Sequence, residues 1–236
     1  MEKDAIRERI WDDLESSGVA RFPYPPHGRI PNFEGASEAA TVLADQPEWR
    51  AAETIKANPD APQLPVRRRA LRDGKTVYMA APRLRDERCF LELDPETLQD
   101  YDAATTVSGS STHGTAVRPE AVPEIDLIVS GSVAVAETGT RIGKGEGYSD
   151  LEYAILRELD LVDDETVVAT TVHERQLIAS FEPDAHDVPL DLIVTPERIV
   201  RPESADRPAG IDWNALADDR LDEIPILRAL REDIDG

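Results

Sequence analysis

Residues 126–153 constrain the fold more than any other part of the chain. They read DLIVSGSVAVAETGTRIGKGEGYSDLEY, in which an apolar, β-branched run leads into a glycine-rich turn and then into a helical pattern. Short apolar runs of this kind are typical of strands that are buried in a parallel sheet. The stretch therefore predicts a strand, a turn and a helix in direct succession.

The same alternation recurs along the chain. Apolar runs predict strands at residues 76–80, 125–135, 166–172 and 190–194. Apolar residues at helical spacing predict helices at residues 4–17, 37–43, 47–55, 66–72 and 151–159. Strands that alternate with helices indicate a three-layer α/β/α domain with a mostly parallel central sheet and right-handed crossovers. Ligands of such sheets bind at the carboxyl ends of the strands.

Both ends of the chain are predicted to be appendages of a single domain spanning residues 1–236. Residues 1–35 hold the first helix and an arm, FPYPPHGRIPNF, whose prolines impose extended backbone. Residues 202–236 are expected to form a docked, acidic C-terminal helix with a frayed end. Within the domain, residues 108–114 are expected to be a flexible loop. The arginines at 67–69 are expected to be a solvated helix end.

The glycine-rich turn has the composition of an anion site. Gly143, Gly145 and Gly147 permit positive φ and bring backbone N–H groups close to a guest, while Arg141 and Lys144 add positive charge. Phosphate is the natural ligand. The spacing matches neither the P-loop nor the dinucleotide-binding fingerprint. The alternative is a plain strand-to-helix turn with solvated charges.

Charge indicates the setting in which the chain works. The formal net charge is −22, the acids are spread along the whole chain, and four lysines stand against 22 arginines. We interpret this pattern as adaptation to high intracellular salt, which screens the repulsion of an acidic surface; the alternative is an ordinary acidic protein. Nucleic acid is an improbable partner because phosphate contacts need a basic face.

Several classes of site are disfavoured. Cys89 is the single cysteine, so neither a disulfide framework nor a cysteine metal site is expected. The four histidines are dispersed, which disfavours zinc, and Ser110 and Ser111 lack the context of a hydrolase nucleophile. With no leader sequence and no apolar run long enough to span a membrane, the chain is expected to be cytoplasmic.

The motif at residues 126–153 resembles the signature of the 5-formyltetrahydrofolate cyclo-ligase family, also called methenyltetrahydrofolate synthetases. That signature is an apolar DLI strand, a loop, G-x-R-hydrophobic-G-x-G-x-G-Y-Y-D and a helix. MEKDAIRERI resembles the family's basic first helix, and VHERQLI and AHDVPLDLIVT resemble its later strands and acidic motif. RIPNFEGA, AAPRLR and HDVPLDLIVTPERIV are similar to the methenyltetrahydrofolate synthase domain-containing branch. The resemblance implies a Rossmann-like fold of the cyclo-ligase type.

The family uses ATP, with magnesium, to phosphorylate the formyl oxygen of 5-formyltetrahydrofolate; nitrogen attack and loss of phosphate give 5,10-methenyltetrahydrofolate. The resemblance implies this reduced folate as substrate, with ATP and Mg²⁺ as cofactors. It implies catalytic roles for Arg141, Lys144 and Tyr148, and magnesium binding by Asp150 and Asp187. The implied ATP contacts are Lys3, Arg7, Arg141, Gly143, Lys144, Gly145, Glu146, Gly147 and Tyr148. The implied folate contacts are Gly145, Glu146, Gly147 and Tyr148.

The chain also departs from the family pattern. Ser149 replaces the second aromatic residue of Y-Y-D, SGSVAV replaces the usual strand loop, and the early E-x-x-T segment lacks a counterpart, with Glu34 and Glu38 as the nearest acids. Asp150 is otherwise a helix N-cap and Asp187 a solvated loop acid. A non-catalytic nucleotide- or partner-binding relative therefore stays open, as does an ATP-dependent enzyme acting on another formyl or amide compound. The sequence does not predict an oligomeric state.

Overall fold

The computed structural model describes residues 2–81, 84–203, 205–216 and 218–235. Its helices are α1 (Lys3–Ser16), α2 (Ala36–Ala44), α3 (Pro47–Ala51), α4 (Leu64–Arg72), α5 (Tyr101–Ala104), α6 (Val107–His113), α7 (Tyr148–Glu158), α8 (Asp218–Glu223) and α9 (Pro225–Asp235). Its strands are β1 (Ala20–Arg21), β2 (Asn32–Phe33), β3 (Thr54–Ala57), β4 (Thr76–Ala80), β5 (Phe90–Leu93), β6 (Thr115–Val117), β7 (Leu127–Val129), β8 (Ala134–Ala136), β9 (Arg141–Ile142), β10 (Val167–Thr171), β11 (Leu177–Ile178), β12 (Leu192–Val194) and β13 (Ile199–Val200).

An eight-stranded sheet forms the centre, in the order β13-β12-β10-β7-β3-β4-β5-β6. Its five middle strands are parallel, and β13, β5 and β6 are added antiparallel at the two edges. The middle strands are apolar because both faces of a parallel sheet are covered. A smaller sheet, β11-β8-β9, lies beside it, and β1 pairs with β2 in the N-terminal arm.

Helices cover both faces of the central sheet. On one face α7 and the C-terminal helices pack over a core that includes Ile128, Ile155 and Leu227. On the other face α2 and α4 cover a core that includes Leu43, Val66 and Leu127. These layers confirm the predicted α/β/α architecture with a mostly parallel sheet. None of the helices within the described residues is long and apolar enough to cross a membrane.

The predicted bounds of one strand and one helix are wrong. The strand predicted at 125–135 is two strands, because the chain leaves the main sheet after Val129 and β8 joins the smaller sheet. The helix predicted at 47–55 ends at Ala51, and residues 54–57 form β3 in the middle of the sheet. Ile55 is fully buried there. A β-branched pair, Thr54 and Ile55, favours a strand over the last turn of a helix.

The structure also differs from the predicted loop at residues 108–114 and from the predicted single C-terminal helix. Residues 108–114 are not a flexible loop, since Thr106 caps α6 by accepting a hydrogen bond from the backbone N of Gly109 at 2.9 Å. Among its described residues, the C-terminal segment holds two helices rather than one, with Pro225 at the start of α9. Pro suits the first turn of a helix but not its interior, which explains the break. Gly236, the end of the predicted segment, lies outside the described residues.

Candidate functional site

A cavity of about 440 Å³ lies beside β3 and β7, where the strand order of the main sheet reverses. The chain runs from β3 to β4 on one side and returns to β7 on the other, so the loops after these strands diverge and leave a crevice. The loop after β3 contributes Asn58 and Asp60, the loop after β7 contributes Gly131, and the turn after β9 contributes Lys144. The cavity is thus at the position where α/β sheets bind ligands.

The glycine turn, residues 143–147, forms one rim of this cavity and leads directly into α7. Gly145 and Gly147 have φ angles of 102° and 69°, values that residues with a Cβ rarely adopt. Gly147 is also the N-cap of α7, so the unpaired N–H groups and the positive end of the helix dipole lie at the turn. The turn therefore has the backbone geometry of an anion site.

Arg141 is fixed between the loop after β7 and the first turn of α7. Its side chain is 4% exposed. Nη1 donates to the carbonyl oxygen of Gly131 at 2.9 Å, and Nη2 donates to Oδ1 of Asp150 at 2.5 Å. The alternative in which Asp150 caps α7 is wrong, because Gly147 occupies the cap and Asp150 lies inside the first turn. Arg141 is thus part of the scaffold that holds the turn.

Lys144 lies at the cavity rim, where its ammonium group forms a solvent-exposed ion pair. Its ammonium group lies 2.8 Å from the Glu146 carboxylate, and the two side chains are 35% and 44% exposed. The charge of Lys144 also acts on Asp60. Burial raises the pKa of Asp60, and the positive charges of Lys144 and Arg67 offset only part of that effect. An acid with a raised pKa and a movable cation thus share the cavity.

Helix α1 brings its two predicted phosphate ligands to the same region. Lys3 Nζ lies 2.6 Å from the Asp184 carboxylate and 2.5 Å from that of Asp187. Burial lowers the pKa of Lys3, but the hydrogen bonds to both carboxylates outweigh this effect and raise it overall. Arg7 Nε donates to the carbonyl oxygen of Gly143 at 2.8 Å. Arg7 thus contacts the turn, whereas Lys3 binds the loop that carries Asp184 and Asp187, and neither side chain lines the cavity.

The two predicted magnesium ligands lie on the same side of the domain. Oδ1 of Asp150 accepts a hydrogen bond from the backbone N of Val188 at 3.2 Å, and Val188 directly follows Asp187. The Asp187 side chain is 12% exposed and bound by Lys3, so it is not a freely solvated acid. Asp184, His186 and Asp187 hold ligand atoms within 4.8 Å of one another. The shared magnesium site stays a prediction, because Arg141 and Lys3 already bind the two carboxylates.

A buried ion pair in the cavity wall escaped the sequence analysis. Lys56 of β3 bonds to Glu152 of α7, and their side chains are 1% and 6% exposed. Glu152 lines the cavity. The signal was present, since Lys56 is one of four lysines in the chain. The predicted helix at residues 47–55 ends one residue before Lys56, so the sequence pattern did not place Lys56 in a strand.

Arg67 is a second residue that the sequence analysis placed wrongly. It is 1% exposed rather than solvated. Its guanidinium donates to three carbonyl oxygens, those of Thr105 at 3.0 Å, Asn58 at 2.5 Å and Asp60 at 3.0 Å. Burial lowers the pKa of Arg67 to about 9, and Asp60 opposes the shift. Arg67 thus holds the loop that carries Asn58 and Asp60 into the cavity.

Comparison with known proteins identifies the family. The model of the 5-formyltetrahydrofolate cyclo-ligase family matches residues 2–196. The chain belongs to this family. Methenyltetrahydrofolate synthase domain-containing proteins of Mus musculus and Homo sapiens are 42% and 38% identical to it over 98% and 97% of its length. The chain spans 63% and 61% of those two relatives. The recognised resemblance is thereby confirmed.

The fold of this family member agrees with a solved structure. The NMR structure of Aquifex aeolicus 5,10-methenyltetrahydrofolate synthetase superposes with a TM-score of 0.55, covering 92% of this chain and all of the other. The identity is 18%, so this likeness concerns the fold. The family model stops at residue 196, whereas the matched relatives align with almost the whole chain. The C-terminal segment is thus an addition to the part that the family model describes.

Proposed function

We propose that this chain is an ATP- and magnesium-dependent 5-formyltetrahydrofolate cyclo-ligase of the cytoplasm, adapted to high salt. In the reaction, the formyl oxygen takes the γ-phosphoryl group of ATP, a second nitrogen of the folate attacks the activated carbon, and phosphate leaves. The products are 5,10-methenyltetrahydrofolate, ADP and phosphate. The observation that carries the proposal is the glycine turn, which places Lys144, two left-handed glycines and the N-terminus of α7 at the rim of the switch-point cavity.

The side chains divide the work of this reaction. Transfer of a phosphoryl group to a weak acyl oxygen depends on positioning and on cations around the transferred group rather than on a protein nucleophile. Backbone N–H groups of residues 143–147 bind the phosphates, and Lys144 exchanges Glu146 for the transferred group. Tyr148 borders the reacting carbon. Asp150 and Asp187 would hold magnesium, which would neutralise charge on the phosphate oxygens.

The folate ring has a suitable wall in the N-terminal arm. Pro23 lines the cavity, and the neighbouring Phe22 and Tyr24 are 77% and 57% exposed. Exposed aromatic side chains beside a cavity are available for stacking on a planar ring. Glu152 adds a carboxylate to the cavity lining, and its partner Lys56 lies buried behind it. These groups support a flat ligand with polar edges, which a pterin provides.

A non-catalytic relative is the second candidate, and one observation favours it. Each predicted charged ligand already has a protein partner: Lys3 binds Asp184 and Asp187, and Arg141 binds Asp150. Charged side chains that are paired without phosphate are also what a structural turn would show. Catalysis requires that at least Lys144 leave its partner.

The experiment is a spectrophotometric assay for the methenyl product from 5-formyltetrahydrofolate, with ATP and magnesium in molar salt. Lys144→Ala should lower turnover at least about a hundredfold, the scale for the loss of one preorganised electrostatic contact. Lys144→Arg should recover little, because a rigid guanidinium fork does not follow the transferring group as an ammonium does. Arg118→Ala, which removes an exposed pair with Glu87, is the matched control.

Binding separates the two candidates. MgATP at a hundred times its dissociation constant should stabilise the folded chain by about 2.7 kcal/mol. Product formation with loss in Lys144→Ala supports the cyclo-ligase. Thermal stabilisation by MgATP without product supports the nucleotide-binding relative, and the absence of both overturns the phosphate assignment of the turn.

A further inference from the structure

Described residues of the C-terminal segment (residues 202–236) lie against the glycine turn, beyond the part of the chain that the family model matches. A second cavity, of about 280 Å³, lies beside their contact. Gly147, Leu151 and Ala154 line it from the turn and α7, and Ile211, Leu216 and Arg220 line it from the segment. The segment is therefore in a position to act on the turn.

One side chain of the segment makes two contacts with the turn. Arg220 Nη2 donates to the carbonyl oxygen of Glu146 at 2.7 Å. The guanidinium carbon of Arg220 lies 4.5 Å from the centroid of the Tyr148 ring, within cation–π range. Glu146 and Tyr148 are the residues on either side of Gly147, whose φ of 69° fixes the bend of the turn. Arg220 thus bridges the residue that sets the turn geometry.

The dipole of α7 does not favour Arg220 at this position. A cation beside the N-terminus of α7 opposes the helix dipole. In addition, Nη1 of Arg220 is buried and has no hydrogen-bond partner within the described residues. A buried charged donor without a partner is costly. Both features are unfavourable in the free chain, and negative charge at the turn would offset the opposition between Arg220 and the helix dipole.

We propose that Arg220 is a positioning residue that holds the glycine turn in its anion-binding conformation. It acts through Glu146 and Tyr148 and makes the C-terminal segment a working part of the site. This proposal rests on the proposed function for its anion, MgATP. The conformation of the turn in the ligand-free chain does not depend on that function.

The test compares Arg220→Met and Arg220→Lys with Arg228→Met. Arg228 is an exposed arginine of α9 in the same segment and is the matched control. The first measurement is hydrogen exchange of the backbone amides of residues 143–149 without ligand. Arg220→Met should speed this exchange about tenfold, because a charged hydrogen bond and a cation–π contact are both lost. Arg220→Lys keeps the charge and should give an intermediate rate.

The second measurement is the dissociation constant of MgATP by calorimetry. It should rise about tenfold in Arg220→Met and stay unchanged in Arg228→Met. Wild-type exchange in Arg220→Met overturns the proposal. Faster exchange that spreads equally over α8 and α9 also overturns it, since Arg220 would then dock the segment rather than hold the turn. If MgATP binds none of the proteins, the proposed function fails, while the exchange measurement still decides the role of Arg220.

Discussion

The Lys56–Glu152 pair allows the sharpest test of the energetics of this fold. The two side chains are 1% and 6% exposed. Lys56 lies in the middle of the sheet, in register with Tyr78 on one side and Ile128 on the other. Both neighbours belong to the apolar core under α7. Lys56 therefore has no access to water once Glu152 is gone, and Glu152, which is 6% exposed on the cavity wall, has little access once Lys56 is gone.

Removing one partner should destabilise the protein strongly. Lys56→Met leaves a buried carboxylate, and Glu152→Leu leaves a buried ammonium, so each variant should lose about 3–5 kcal/mol of unfolding free energy. Domains of this kind have a total of about 5–15 kcal/mol. The corresponding fall in the thermal midpoint is roughly 6–20 °C for a chain of this size. The double variant replaces the pair by apolar groups and should lie within about 1 kcal/mol of wild type or above it.

Urea unfolding in concentrated potassium chloride gives the unfolding free energy of the wild type, the two single variants and the double variant, which together form a double-mutant cycle. Arg118→Met is the control, because it breaks an exposed pair, 61% and 70% accessible, and should cost less than about 1 kcal/mol. The reasoning fails if either single variant at the buried pair stays within 1 kcal/mol of wild type. It also fails if the double variant loses as much as the two single variants together, since the charges would then act independently.

Two further predictions concern the loop after β3. Burial raises the pKa of Asp60 above the value of 3.8 that applies to the unfolded chain, so folded-state stability falls as the pH rises above that value. Asp60→Asn should remove this fall and be more stable than wild type at pH 7 but not at pH 4, as measured by urea unfolding; a variant less stable at pH 7 contradicts the burial argument. Arg67→Met should cost at least about 3 kcal/mol, because three carbonyl oxygens lose their donor. Arg68→Met, on the more exposed face of α4, should cost less than about 1 kcal/mol, and equal losses in the two variants would contradict the assigned role.

Local patterns explain which parts of the fold could be predicted from the sequence. The middle strands at residues 76–80 and 166–172 carry no charged residue and are rich in β-branched side chains, so they are readily recognised as buried strands. The strand at residues 54–57 contains Lys56, whose charge interrupts the apolar run and conceals a buried position. Strands β5 and β6 were not predicted: β6, at the edge of the sheet, is largely exposed, and β5 is only four residues long and is interrupted by Glu92.

The site could be predicted where one motif holds its parts together. Arg141, the glycines and Asp150 fall within ten residues and meet in the fold as their spacing suggests. Arg67 could not be identified as buried, because three successive arginines look alike in the sequence. Only the folded chain brings the carbonyl oxygens of residues 58, 60 and 105 to its guanidinium group. Arg220 lies 74 residues from the carbonyl group that it binds. Contacts at such separations depend on the folded topology and leave no mark in local sequence.

The exposure of the ion pairs separates two roles among the cations of the glycine turn. Arg141 and Asp150 are 4% and 12% exposed, so breaking their pair would leave a charge with little water and would cost several kcal/mol. Lys144 and Glu146 are 35% and 44% exposed, and such pairs contribute about 0–1 kcal/mol. A ligand phosphate can therefore displace Glu146 from Lys144 but not Asp150 from Arg141. We therefore expect Arg141 to keep its partners through the reaction, and Lys144 to be the cation that moves to the phosphate. In molar salt, electrostatic screening acts within about 3 Å. Binding of the ligand should then depend on direct contact with Lys144, because long-range electrostatic forces are screened.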